Sequence, residues 1–247
     1  DMPFLVDSVT AELNAQGITV HLVVHPIVTV RRDAKGRLQA LLPTGDTSGD
    51  AVVESWMRVE VDQHTDPEKL RAMRRGLRRV LADVRAAVED WKPMLDRARA
   101  TVGALAKHPT APQTWDLEES RAFLEWLVDD HFTFVGYREY KVVGSGKNAK
   151  MAVVPDSGLG VLRDPDFHIF EGVRDMAELP DHVRAFFEQP DALIVNKANV
   201  RSTVHRRVHL DAIGIKLFDE KGHVVGEQIF VGLFTSTVYT QAATSVP

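Results

Sequence analysis

Apolar residues at spacing four open the chain. Leu5, Val9 and Leu13, with Val6 beside them, form one stripe of a predicted helix. Asp1 stands where an N-cap belongs, Pro3 fits a first turn whose N–H groups lack partners anyway, and Gly17 is the expected stop. The pattern then changes. Ile18 to Arg31 is dense in Val, Ile and Thr and predicts a strand, with Pro26 marking a bulge or an edge. Asp33-Ala34-Lys35-Gly36 predicts a turn, Arg37 to Leu42 a short strand, Pro43 to Asp50 a polar loop, and Ser55 to Asp62 another strand. A long helix follows, with Asp66 as cap, Pro67 in its first position and Glu68 at the positive end of its dipole. Leu70, Met73, Leu77, Val80, Val84 and Trp91 keep close to a three-four alternation, a seam for a partner helix. Pro93 kinks or breaks it, and Met94 to Ala106 resumes helical spacing.

His108 to Thr114 holds two prolines and reads as the linker. Asp116-Leu117-Glu118-Glu119 then resembles a capping box, opening a helix that carries Phe123, Leu124, Leu127 and Val128. Strands are predicted at Phe132–Val143 and Lys150–Val154, joined by a loop around Gly144–Asn148. A short helix is predicted around Asp181–Glu188. Three more strands follow at Ala192–Asn199, His209–Asp219 and His223–Thr235, the last two flanking the turn Asp219–Gly222. Connections this short do not allow parallel crossovers, so the sheet is expected to be mainly antiparallel with small helices on one side.

Composition narrows the chemistry. Hydrophobic content of 44% and charged content of 26% suit an ordinary folded domain, and 247 residues suggest two. With no cysteine there is no disulfide scaffold, thiolate metal site or cysteine nucleophile. No apolar run approaches the ~20 residues that span a bilayer, and no signal-peptide pattern opens the chain. A cytoplasmic chain with no membrane partner is the expectation. A start at Asp1 without methionine, and an end at Pro247 soon after a strand-like run, read as an excised piece. The net charge of −5 is unevenly placed: Pro67 to Lys107 has eleven Lys/Arg against five Asp/Glu, leaving −11 elsewhere.

Most motif candidates fail on geometry. His21/His25 and His205/His209 are four apart, but on strands that means ~13 Å, too far for one metal ion. Gly144-Ser-Gly146-Lys147 and Gly158-Leu-Gly160 lack the spacing and setting of a nucleotide loop. Arg71, Arg74, Arg75, Arg78 and Arg79 could meet phosphates. Without interleaved aromatics and in an acidic chain, a solvated or protein-docked face fits better, so no nucleic-acid partner is expected. The richest polar run, Asn196 to Arg206, sets four basic groups among small polar ones. It suits a carboxylate or phosphate ligand and a structural ion-pair network equally.

The same run resembles a known family. Lys197-Ala-Asn-Val-Arg-Ser-Thr-Val-His-Arg206, Asp211-Ala-Ile-Gly214 and Phe230-Val-Gly-Leu-Phe-Thr-Ser236 are similar to the N-terminal region of the large bacterial NAD-specific glutamate dehydrogenases. So are Asp1-Met-Pro-Phe-Leu-Val-Asp-Ser-Val9, Ser55-Trp-Met57 and, most distinctively, Asp129-Asp-His-Phe-Thr-Phe-Val-Gly-Tyr-Arg-Glu-Tyr140. The resemblance implies a parent that converts L-glutamate and NAD to 2-oxoglutarate, ammonia and NADH. Its core lies downstream, so this fragment would hold no catalytic residue and no cofactor, NAD belonging to the parent. It implies an α+β chain: an incomplete ACT-like domain over 1–66, a helical spacer over 67–112, and a PAS-like, mainly antiparallel domain over 113–247. Asp1-Met2-Pro3-Phe4-Leu5 looks like the ligand-binding turn of ACT domains, which usually has glycine where Phe4 stands. Candidate contacts for an amino-acid or other small anionic effector are therefore Asp1, Met2, Pro3, Phe4, Lys197, Arg201, Thr203, His205 and Arg206. Implied partners are the rest of the parent chain and other subunits of a homo-oligomer. A free-standing ligand-sensing or oligomerisation module is the alternative, and nucleic-acid binding through the basic helix a weaker one.

Overall fold

Leu5–Ala15 forms helix α1, one turn later than a cap at Asp1 would set it. The structure, a computed structural model, describes residues 2–105, 117–144, 150–169, 192–221 and 223–239. Asp1, the linker at 108–114, the cap Asp116, the loop at 145–148, the helix expected around Asp181–Glu188 and Gly222 lie outside them. The chain packs as two units, Asp1–Val84 with Thr203–Arg207, and Arg85–Ser202 with Val208–Pro247.

In the first unit the expected strand from Ile18 to Arg31 is two strands, β1 (Val20–Val24) and β2 (Ile27–Arg32), in separate sheets. Pro26 lies between them, and its carbonyl accepts the Trp56 N–H at 3.0 Å. A residue with no N–H cannot continue a ladder, so the chain changes sheet there. β3 (Leu38–Leu42) and β4 (Ala51–Ser55) flank β2, while β5 (Arg58–Val61) pairs with β1, all antiparallel. Residues 51–54 of β4 lie between the predicted loop and the strand predicted from Ser55; their burial does not alternate, which removes the period-two signal. Helix α2 (Pro67–Glu89) starts as its cap predicts, the Asp66 carboxylate accepting the Glu68 N–H at 2.9 Å. The core joins Val9, Leu13 and Ile18 to Val20, Met57, Val59, Val61, Met73 and Leu77.

The helix break falls at Asp90, before Pro93, and α3 (Trp91–Leu105) carries Pro93 in its first turn, where no N–H is needed. The expected seam is therefore shorter. Val80 and Val84 are fully buried, whereas Leu70 is 45% exposed and Trp91, rephased by the break, 51%. In the second unit α3 and α4 (Leu117–Trp126) lie on a six-stranded antiparallel sheet of β6 (Phe132–Val143), β7 (Lys150–Val153), β8 (Leu159–Gly160), β9 (Leu193–Arg201), β10 (His209–Phe218) and β11 (Val224–Phe234). The sheet order is β7-β6-β11-β10-β9, with β8 on β6. Met94, Leu95 and Ala98 of α3 and Leu124 of α4 meet Phe132, Phe134, Tyr137, Ile213, Ile215 and Phe230 from the sheet. The architecture is thus α+β with antiparallel sheets and few helices. No helix among the described residues is long and apolar enough to cross a membrane.

Candidate functional site

The start of α1 gathers unusual backbone and buried charge. Phe4, the residue before its first turn, is left-handed at φ 68°, with no side-chain cap. A left-handed non-glycine residue costs roughly 1–2 kcal/mol, so something must hold it there. The Phe4 ring lies 5.1 Å from the ring of His205, which is itself left-handed at φ 64°. The His205 N–H donates to Ser8 Oγ at 2.9 Å, and its Nδ1 lies 3.0 Å from Asp7 Oδ2. The segment Thr203–Arg207, some two hundred residues away in sequence, thus belongs to the first unit and is clamped on α1.

Deeper on the same helix, Glu12 is 3% exposed. Arg207 Nη1 donates to its Oε2 at 2.7 Å, Gln16 to its Oε1 at 2.7 Å, and Arg79 of α2 stands 3.6 Å away. Gly76 makes this packing possible, since a side chain there would collide with Glu12 and Gln16. Val204 is fully buried, and the buried Thr203 Oγ1 has no hydrogen-bond partner among the described residues.

The remaining candidates divide. Pro3 and Phe4 form the turn into α1 with Met2 ahead of it, and Arg206 lies with His205 in the first unit, engaged within the chain. Lys197 is in the second unit, where it pairs across the strands with buried Asp211 at 2.5 Å. Arg201 ends β9, exposed and with a partner of its own. The run therefore splits into a sheet-bracing half and a half folded onto α1.

Among the described residues no three His, Cys, Asp or Glu side chains are grouped to hold a metal. His21 pairs with Asp62 at 2.7 Å, and His209 contacts the Ala198 carbonyl at 3.0 Å. Gly160 serves the fold: its N–H donates to Asp90 Oδ2 at 2.7 Å, and Arg163 binds the other oxygen at 2.5 Å.

A sequence model described as the ACT1 domain of glutamate dehydrogenase matches residues 1–77. NAD-specific glutamate dehydrogenases of Pseudomonas aeruginosa and Halomonas elongata are each 38% identical to the chain over its whole length. One from Mycobacterium tuberculosis is 27% identical over 98% of it. Along its whole length the chain is similar to a part of the large NAD-specific glutamate dehydrogenases. It spans only about 15% of the length of these relatives.

The turn before α1 keeps a glycine-like φ although Phe4 fills it. Its ring packs against His205. Sequence reasoning missed Asp7, Ser8, Glu12 and Arg207. A signal existed for two of them, because Ser8 and Glu12 lie on the same helix face as Leu5 and Val9, and polar residues there need buried partners. It also missed the charged face of the second unit's sheet. Arg138 is buried and donates to the carbonyls of Leu162 at 2.8 Å, Asp164 at 2.5 Å and Phe167 at 3.3 Å. Buried Lys216 and Glu227 are register partners across β10 and β11. Burial pushes the Glu227 carboxyl up to about 7, with Lys216 pulling it back down.

Proposed function

We propose that this chain is the non-catalytic N-terminal regulatory and assembly region of a cytoplasmic NAD-dependent glutamate dehydrogenase. The parent reaction is L-glutamate and NAD to 2-oxoglutarate, ammonia and NADH, with NAD bound elsewhere in the parent. The observation that carries the reading is the match along the whole chain to a small part of two NAD-specific glutamate dehydrogenases. The modules are an incomplete ACT-like domain at 1–66, a helical spacer at 67–112 and a PAS-like domain at 113–247. The last is supported by its two strands, intervening segment and three strands in one antiparallel sheet.

The effector site in this reading is the start of α1. Its first amides lack side-chain caps and suit a carboxylate, while Asp7 suits an ammonium group. An amino acid carries both charges. Access requires the Phe4 ring to swing off His205. Strain held in two left-handed residues favours such a movement. The other subunits of a homo-oligomer and the rest of the parent chain are the macromolecular partners.

Thermal melts test the site. Glutamate or 2-oxoglutarate is expected to raise the melting temperature of the wild type, and His205→Ala is expected to lose that rise. Phosphate alone separates a general anion site from an amino-acid site. Melts that none of the three ligands moves would remove the effector reading and leave assembly.

A further inference from the structure

The outward face of α2 carries more positive charge than its surroundings answer. Arg71, Arg74, Arg75, Arg78 and Arg79 are all exposed. Glu68 holds Arg71 at 2.5 Å, and Arg79 reaches Glu12 at 3.6 Å. Among the described residues Arg74, Arg75 and Arg78 have no carboxylate partner. Like charges three and four apart on a helix repel, so this face is less stable alone than a mixed one.

Its apolar members indicate the kind of partner. Leu70 and Leu81, 45% and 42% exposed, border Arg74 and Arg78 on one strip. A surface that tracks nucleic acid sets stacking aromatics among its basic groups; this one has leucines. Arginine with exposed leucine suits an amphipathic acidic protein surface, because arginine is enriched at protein interfaces and forks onto carboxylates.

The chain itself offers that surface. α4 and the turn after it present Glu118, Glu119, Glu125, Asp129 and Asp130, all exposed, against one arginine, Arg121. Arg121 is 3.5 Å from Glu125, and Glu118 and Glu119 have interactions of their own; five carboxylates to one arginine still make the segment net negative. At a rise of 1.5 Å per residue, Leu70–Leu81 runs about 17 Å and α4 about 15 Å, so the lengths match. We propose that the arginine strip of α2 docks on the acidic α4 face of a second copy of this chain. This deepens the assembly role proposed above and rests on it. Each copy offers one face of each sign, which allows two copies to pair reciprocally or several to join head-to-tail.

Sedimentation velocity over a concentration series, at low and high salt, tests this with charge reversal. The wild type is expected to assemble at low salt and dissociate as salt rises. Arg74→Glu/Arg78→Glu stays monomeric, and so does Glu125→Arg/Asp129→Arg, both with wild-type helicity by circular dichroism. An equimolar mixture of the two assembles again, because the reversed faces complement each other. A wild type that stays monomeric, an assembly that survives reversal, or a mixture that stays monomeric overturns the proposal. So does salt-dependent duplex DNA binding by a monomeric wild type that Arg74→Glu/Arg78→Glu abolishes. None of these variants touches Phe4 or His205. Loss of the ligand-induced melting shift therefore reports on the effector site alone.

Discussion

Arg207→Met should be the most damaging single change at the start of the chain. Glu12 is 3% exposed and Arg207 is its nearest cation, at 2.7 Å with a side chain 33% exposed. Removing one partner of a buried pair typically costs about 3–5 kcal/mol, because the other charge stays desolvated. Here Gln16 still donates and Arg207 is only partly buried, so about 2–3 kcal/mol is expected. At about 4–8 °C per kcal/mol for a unit of this size, the first transition should fall by roughly 10–20 °C. Arg79→Met is the internal control. That pair is 3.6 Å apart with Arg79 60% exposed, and such pairs contribute about 0–1 kcal/mol. The double variant Glu12→Leu/Arg207→Met should recover most of the loss, since no buried charge is then left unpaired and Arg79 is exposed. Calorimetry of the four proteins reads all of this. Equal losses for the two arginines, or a double variant no better than Arg207→Met, would refute the buried-anchor argument.

Leu77→Ala should cost about 2 kcal/mol, since Leu77 packs on Val9, Leu13 and Ile18, while Leu70→Ala should stay within about 0.5 by urea unfolding. Phe4→Gly relieves the left-handed strain but loses the ring contact, so its melt should move by no more than about 1 kcal/mol, and any ligand-induced shift should grow. Glu227 has a folded pKa near 7 against an ordinary 4.5, so the folded state binds its proton more tightly. Its contribution is complete below about pH 4.5 and is lost as pH rises towards 7. Glu227→Gln should remove that pH dependence in denaturant titrations, so its stability stays level from about pH 5 to 8 where that of the wild type falls.

The parts legible in sequence are those whose physics is local. Phe132–Val143 was expected and found with the same bounds, because twelve residues rich in aromatics and valine end at Gly144, left-handed at φ 84°. His209–Phe218 and Val224–Phe234 were marked by the turn between them, where Asp219 accepts the N–H groups of Lys221 and His223. Asp66 and Pro67 fixed the start of α2 in the same way. Residues 51–54 were missed because their burial has no period. The division at Pro26 was read as a bulge or an edge, since sequence shows that a ladder stops but not which sheet takes the next strand. The candidate site was legible in pieces. Phe4 and the Thr203–Arg206 run were each singled out, yet nothing local says that they meet, because the contact joins residues some two hundred positions apart.

The central claim is that this region regulates and assembles a dehydrogenase without performing its chemistry. Glutamate-dependent NADH formation tests it most directly, followed by absorbance with the purified chain beside the intact parent enzyme. The chain alone should give no signal above a mock preparation, and the parent carrying His205→Ala should keep its turnover at saturating substrate while its response to effector is lost. NADH formation by the chain itself, or a folded His205→Ala parent with abolished turnover, would contradict the account.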